Sequence, residues 1–173
     1  MFLLVLSAAV FGCNTLRDMG HRPEGEIAER ERLRAPDFTV LDVFSSEVHF
    51  YDFLGKPVVL NFWTTWCPNC VEESPHFETL YQEMGDEVHF VKVNLLDGER
   101  ETRGRVNNFM DTHGYTFPIY FDTTGNASGL YGVRTIPLTV FIDAEGYLVA
   151  ITQGQITEEQ LREGIELAMN SGQ

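Results

Sequence analysis

"NFWTTWCPNC", residues 61–70, sets two cysteines three positions apart where one kind of sequence gives way to another. Before it, "PVVLNF" (57–62) is a nearly continuous apolar run, the pattern of a strand buried on both faces. After it, Cys67 to Met84 has the composition of a helix, interrupted at Pro75. Pro68 suits a first helical turn, where a missing N–H costs nothing. The pair therefore stands at a strand-to-helix junction, with Cys67 first and Cys70 one turn deeper.

Three uses of such a pair can be weighed. Structural zinc needs four ligands, and the five histidines (His21, His49, His76, His89, His113) are scattered without ligand spacing. No metal site is expected. A purely structural bridge is also a poor use, because the entropic gain of a disulfide grows with the loop it closes. Redox chemistry fits the position. A sulfur at a helix start meets free N–H groups and the positive end of the dipole, which favours thiolate. The dipole is worth up to about 2 kcal/mol, which lowers a thiol pKa of about 8.5 by about one to one and a half units. Cys67 is then the exposed nucleophile and Cys70 the thiol that resolves the mixed disulfide.

The flanking segments alternate strand and helix. "FTVLDV" (38–43) and "VHFYDF" (48–53) predict a hairpin around Ser45–Ser46. "VHFVKVNLL" (88–96) predicts a strand, Glu99 to Met110 a helix, "FPIYFD" (117–122) a strand, and Ala127 to Tyr131 a short helix. "LTVFID" (138–143) and "YLVAIT" (147–152) predict a hairpin around residues 144–146. Thr157 with Gln160 forms a capping box, and Leu161, Ile165 and Ala168 repeat on one face of a last helix. This order describes an α/β fold with a mixed sheet.

The first part of the chain reads as an address. Phe2 to Gly12 is an uncharged apolar run of 11 residues, too short to span a bilayer, which needs about 20, and suited to the apolar region of an export signal. It ends at "VFGC" (10–13), where Val10, Gly12 and Cys13 match the bacterial lipoprotein cleavage box. Cys13 is the expected lipidated residue, with a plain export signal as the alternative. Either places the protein where disulfides persist. Residues 13–34 are polar with dense mixed charge and predict a tether, helical over Glu26 to Arg34. The expected organisation is thus a signal over 1–12, a tether over 13–34 and one folded domain over 35–173.

The net charge is −14, and residues 35–173 carry 7 basic against 21 acidic side chains. Such a surface repels phosphate backbones, so no nucleic-acid partner is expected. Three cysteines is an odd count, which leaves Cys13 outside any internal pair.

"NFWTTWCPNC" resembles the active-site segment of thioredoxin-like proteins. Two further matches support this: Pro75 stands where thioredoxins carry a helix-kinking proline, and "YGVRTIP" (131–137) is similar to the segment that ends in their cis proline. The resemblance covers about 35 to 170 and implies a cis Ile136–Pro137 bond. It narrows to the TlpA/ResA/CcmG group through "APDFTVLD" (35–42), Asn61, the inserted stretch before Tyr131, and Glu73. The implied fold is a thioredoxin fold whose mixed central sheet is flanked by helices, with an N-terminal β-hairpin and an inserted helix–strand unit.

That group consists of membrane-anchored, extracytoplasmic thiol–disulfide oxidoreductases. The resemblance implies a reductase that draws electrons from a membrane thiol carrier and reduces protein disulfides, among them those of apocytochrome c. It also implies a monomer that uses no cofactor beyond the Cys67–Cys70 disulfide. The group's active-site glutamate falls on Glu73, one turn beyond Cys70, where a partly buried carboxyl would have a raised pKa. Trp63 is expected under the helix start and Trp66 beside the exposed sulfur. Pro68 and Asn69 separate the two sulfurs. Ile136 would offer backbone groups to an extended substrate, with Pro137 constraining the turn.

Two other readings remain. A peroxiredoxin-like peroxidase has a Thr three residues before its cysteine, as Thr64 is, but Leu60 stands where its proline would be. Copper-binding thioredoxin-like proteins use C-x-x-x-C, a spacing this chain lacks.

Overall fold

The computed structural model describes residues 32–172. The expected signal segment, Cys13 and most of the tether lie outside the described residues. The chain forms β1 (Thr39–Leu41), β2 (Glu47–His49), a 3-10 turn (Phe50–Phe53), β3 (Val58–Trp63), α1 (Pro68–Met84) and β4 (His89–Leu95). It continues with α2 (Arg103–His113), β5 (Ile119–Asp122), α3 (Asn126–Leu130), β6 (Leu138–Ile142), β7 (Leu148–Gln153) and α4 (Glu158–Asn170).

The strands make one mixed sheet of seven in the order β2-β1-β5-β4-β3-β6-β7. β3, β4 and β5 run parallel, and β6, β7, β1 and β2 are added antiparallel. β3 lies inside the sheet and all six of its residues are buried, as its uninterrupted apolar run requires. Its alternate residues serve two cores. Val59 and Trp63 join Phe77, Leu80, Phe109, Leu161 and Ile165 on the face that carries α1 and α4. Val58, Leu60 and Phe62 join Phe38, Phe50, Val91 and Val140 on the other.

α4 is closed by the expected reciprocal cap of Thr157 and Gln160. It lies so close to the sheet that a Cβ at Gly164 would collide with the Phe141 ring.

Several boundaries differ from expectation. "VHFYDF" stays extended only to His49 and then turns into the 3-10 helix. Phe50 and Phe53, three apart, are both buried, and a 3-10 helix puts such residues on one side. The Asp52 carboxylate accepts the His49 N–H at 3.1 Å and fixes that turn. The helix expected from Glu99 begins at Arg103, capped by Thr102. Residues 97–101 instead wrap around the Asp97 carboxylate, which accepts the Glu99 and Glu101 N–H groups at 2.9 and 2.7 Å.

α1 runs through Pro75 as one helix, with the ring at an exposed position. Residues 33–34, expected to end a helix, lie along the start of β7 instead. Arg34 bridges Tyr147, Leu33 accepts the Leu148 N–H at 2.8 Å, and the compact unit begins at Leu33.

Candidate active site

Cys67 is the N-cap of α1, with extended backbone and its sulfur accepting the Cys70 N–H at 3.2 Å. A helix start leaves such N–H groups without carbonyl partners, and here one of them is spent on the sulfur. Pro68 opens the helix, and Pro68 and Asn69 are exposed. Cys67 and Cys70 form a disulfide, their Cα atoms 5.2 Å apart.

Cys67 is not the exposed group the spacing predicts. It is 5% exposed, against 0% for Cys70, because the loop around Pro137 lies over it. The Ile136 carbonyl oxygen sits 3.7 Å from its sulfur. The Ile136–Pro137 bond is cis.

Along the Ile136 loop runs a groove of about 340 Å³ lined by Trp66, Leu95, Leu96, Asp97, Val133, Arg134, Thr135 and Ile136. Trp66 is 40% exposed, with the Arg100 guanidinium 3.8 Å above its ring centre. Trp63 is fully buried against Phe109, as expected of a residue under the helix start. Thr64 also lines the groove.

Glu73 is fully buried rather than partly so. Its Oε1 accepts the Asn61 Nδ2–H at 2.9 Å, and its Oε2 accepts the Ile156 N–H at 3.1 Å. Burial pushes its carboxyl above the usual range, and the Lys92 charge, the Ile156 N–H and the Asn61 amide all oppose that push. Residues three apart on a helix are neighbours, so Glu73 follows Cys70 on the same side of α1.

Beneath α1 the sheet carries a polar row. Asn61 pairs in register with Thr139 on β6 and Lys92 on β4, and it also donates to Thr139 Oγ1 at 3.0 Å. Lys92 is fully buried. Its Nζ has no hydrogen-bond partner among the described residues and faces the Phe77, Phe117 and Trp63 rings at 3.7, 4.9 and 5.3 Å. Burial pushes its ammonium down to about 7, against the pull of Glu73.

Two functional candidates were missed by reading the sequence. One is Lys92, whose signal was a lysine in the middle of an apolar strand. The other is Glu101, a fully buried carboxylate that accepts the Thr65 N–H at 2.8 Å, the Thr65 hydroxyl at 2.6 Å and the Asn94 amide at 2.6 Å. It ties the loop before Cys67 to β4. Nothing local to Glu101 marks it out. His49, His76, His89 and His113 occupy separate elements, and His21 lies outside the described residues. Among the described residues no three His, Cys, Asp or Glu gather as metal ligands.

Comparison with known proteins bears on this geometry. The family model described as the AhpC/TSA family matches residues 32–151. The thiol-disulfide oxidoreductase ResA of Halalkalibacterium halodurans is 36% identical over 135 residues, covering 78% of this chain and 74% of ResA. The thioredoxin-like protein YneN of Bacillus subtilis is 32% identical over 166 residues, covering 95% of this chain and 94% of YneN. Among solved structures, the pneumococcal exposed lipoprotein thioredoxin Etrx1 of Streptococcus pneumoniae superposes with a TM-score of 0.66 at 28% identity. That match covers 76% of this chain and 98% of Etrx1.

Proposed function

Because the chain belongs to the AhpC/TSA family, among the TlpA/ResA-like thiol–disulfide oxidoreductases of thioredoxin fold, we propose that it reduces protein disulfides outside the cytoplasm, using Cys67 and Cys70. One observation carries the reading: the Cys67 sulfur caps α1 while a buried, hydrogen-bonded Glu73 stands one turn beyond Cys70.

In the reduced protein the Cys70 N–H and the helix dipole favour Cys67 as thiolate. The thiolate attacks one sulfur of the substrate disulfide. An S–S bond forms to Cys67, the substrate S–S bond breaks, and the first substrate sulfur leaves as a thiolate that takes up a proton. Cys70 then gives its proton to the Glu73 carboxylate and attacks the Cys67 sulfur. The Cys67–Cys70 disulfide forms and the second substrate sulfur leaves, to be protonated in turn. Two electrons and two protons pass from the protein dithiol to the substrate, and no cofactor is required.

Ile136, beside Pro137, presents its carbonyl next to the reacting sulfur. An extended substrate segment can pair with that loop as an added strand, its flanking side chain resting in the groove by Trp66. Leu95, Leu96 and Val133 give that groove an apolar lining beside Asp97 and Arg134, which suits a chain not yet folded, such as apocytochrome c.

Anchoring through a lipid on Cys13, followed by a tether up to the folded unit, would hold the site near a membrane thiol donor that returns the electrons. The relative Etrx1 is by name an exposed lipoprotein. The protein would work there as a monomer.

The test is to mix the reduced protein with an oxidised peptide carrying C-x-x-C-H and to count free thiols. The expected result is two peptide thiols released for each Cys67–Cys70 disulfide formed. A dithiol left intact by the peptide but oxidised rapidly by hydrogen peroxide would overturn it in favour of a peroxidase, and stoichiometric retention of Cu(I) in favour of a copper protein.

A further inference from the structure

Lys92 occupies the middle of β4, between Asn61 of β3 and Ile119 of β5, and no part of it reaches solvent. An ammonium without water loses several kcal/mol of hydration even after the protein relaxes. Aromatic faces return about 2 kcal/mol or more of that when desolvated, and no hydrogen bond to a described residue adds to it. A methionine or leucine would fill the same space between Phe77, Phe117 and Trp63 without the loss. The charge therefore needs a counterpart.

The groups around it supply only one. From α1 come Glu73 and Phe77, with Cys70 a turn away. The cap of α1 brings Cys67. β3 contributes Asn61 and Trp63, β6 contributes Thr139, and the residue before the α4 cap contributes only the Ile156 N–H. The two cysteines carry no charge as a disulfide. Glu73 is thus the partner, and Asn61 holds its carboxylate on the face of the sheet where Lys92 lies.

We propose that Lys92 is a positioning residue for disulfide exchange: its ammonium keeps Glu73 ionised inside the core, so that the carboxylate stands ready for the Cys70 proton. The inference rests on the reading of Glu73 as that acceptor. When the Cys70 S–H bond breaks and the Glu73 O–H bond forms, Lys92 loses its counter-charge. This favours passing the proton to the departing substrate thiolate, which becomes a thiol and returns Glu73 to its carboxylate form.

Oxidised protein holds no thiol in the pair, so the protonation of Glu73 can be followed alone by the infrared carboxyl C=O band against pH. In Lys92→Met the titration point is expected to rise by at least one pH unit, a tenfold change in proton affinity. Lys92→Leu repeats the measurement with different packing. In reduced protein, the acid limb of the rate at which the mixed disulfide resolves is expected to rise by the same amount. A purely structural role would scale the rate at all pH values and leave the limb in place.

An unmoved Glu73 band in both variants overturns the proposal while leaving the reductase reading intact. A moved band with an unmoved rate limb also overturns it, and then the fault lies in Glu73 as proton acceptor.

Discussion

The Asn61 side-chain amide donates to the Glu73 carboxylate at 2.9 Å and to the Thr139 hydroxyl at 3.0 Å, so one residue of β3 pins the active-site helix to two strands. Aspartate at this position would face Glu73 with a second carboxylate, and two such groups in contact do not both ionise. Asn61→Asp is therefore expected to keep a proton on the pair into the neutral range. The acid limb of the rate at which the mixed disulfide resolves should move to higher pH, and below the titration point the rate should fall by about tenfold per pH unit. Stopped-flow measurement across pH checks this.

Glu73→Gln removes the acceptor while keeping the shape. General-base catalysis contributes about 10²–10⁴-fold, so the mixed disulfide on Cys67 should persist at least about 100-fold longer. The acid limb of the rate profile should vanish. Quenching by acid and separating the species by mass gives the lifetime.

Lys92 makes stability depend on pH in a definite direction. Its ammonium, ordinarily titrating at 10.5, is pushed down to about 7 in the fold. Between those values the unfolded chain binds the proton more fully than the folded chain, so stability rises with pH. The slope is at most about 1.4 kcal/mol per pH unit. The difference in urea midpoint between oxidised wild type and Lys92→Met should therefore grow in favour of the wild type from pH 7 to pH 9.5.

Glu101 holds the segment that leads into Cys67 through two bonds from Thr65 and one from Asn94. Glu101→Ala would leave the Thr65 N–H, the Thr65 hydroxyl and the Asn94 amide without their acceptor. Leaving a buried polar group unpaired costs about 1–3 kcal/mol. Thermal unfolding should show that loss. The attack by Cys67 should slow as well, because its approach geometry is set by the same loop.

These contacts mark the boundary of what could be read in advance. The junction at Cys67 was legible because its determinants are adjacent: an apolar run, a first-turn proline, and two sulfurs one helical turn apart. Glu73 followed from the resemblance, with helical spacing setting it one turn beyond Cys70. Pro137 followed from its resemblance to a known segment.

The burial of Cys67 was not legible, because the loop that covers it lies 69 residues away. Glu101 reaches Thr65 across 36 residues, and its turn hides inside what reads as the start of a helix. Lys92 was visible as an oddity in a strand, but only the register beside Asn61 gives it a neighbour. In "VHFYDF", alternation hid the spacing of three between Phe50 and Phe53 that the 3-10 turn uses.

The central claim is that Cys67 attacks and Cys70 resolves. Cys70→Ser, reduced and mixed with a disulfide-bonded protein, should accumulate a covalent complex through Cys67 that dithiothreitol releases, and Cys67→Ser should form none. Mass spectrometry of the linked peptide reads the outcome directly. A complex formed by Cys67→Ser, or disulfide reductase activity retained by it, would contradict the account.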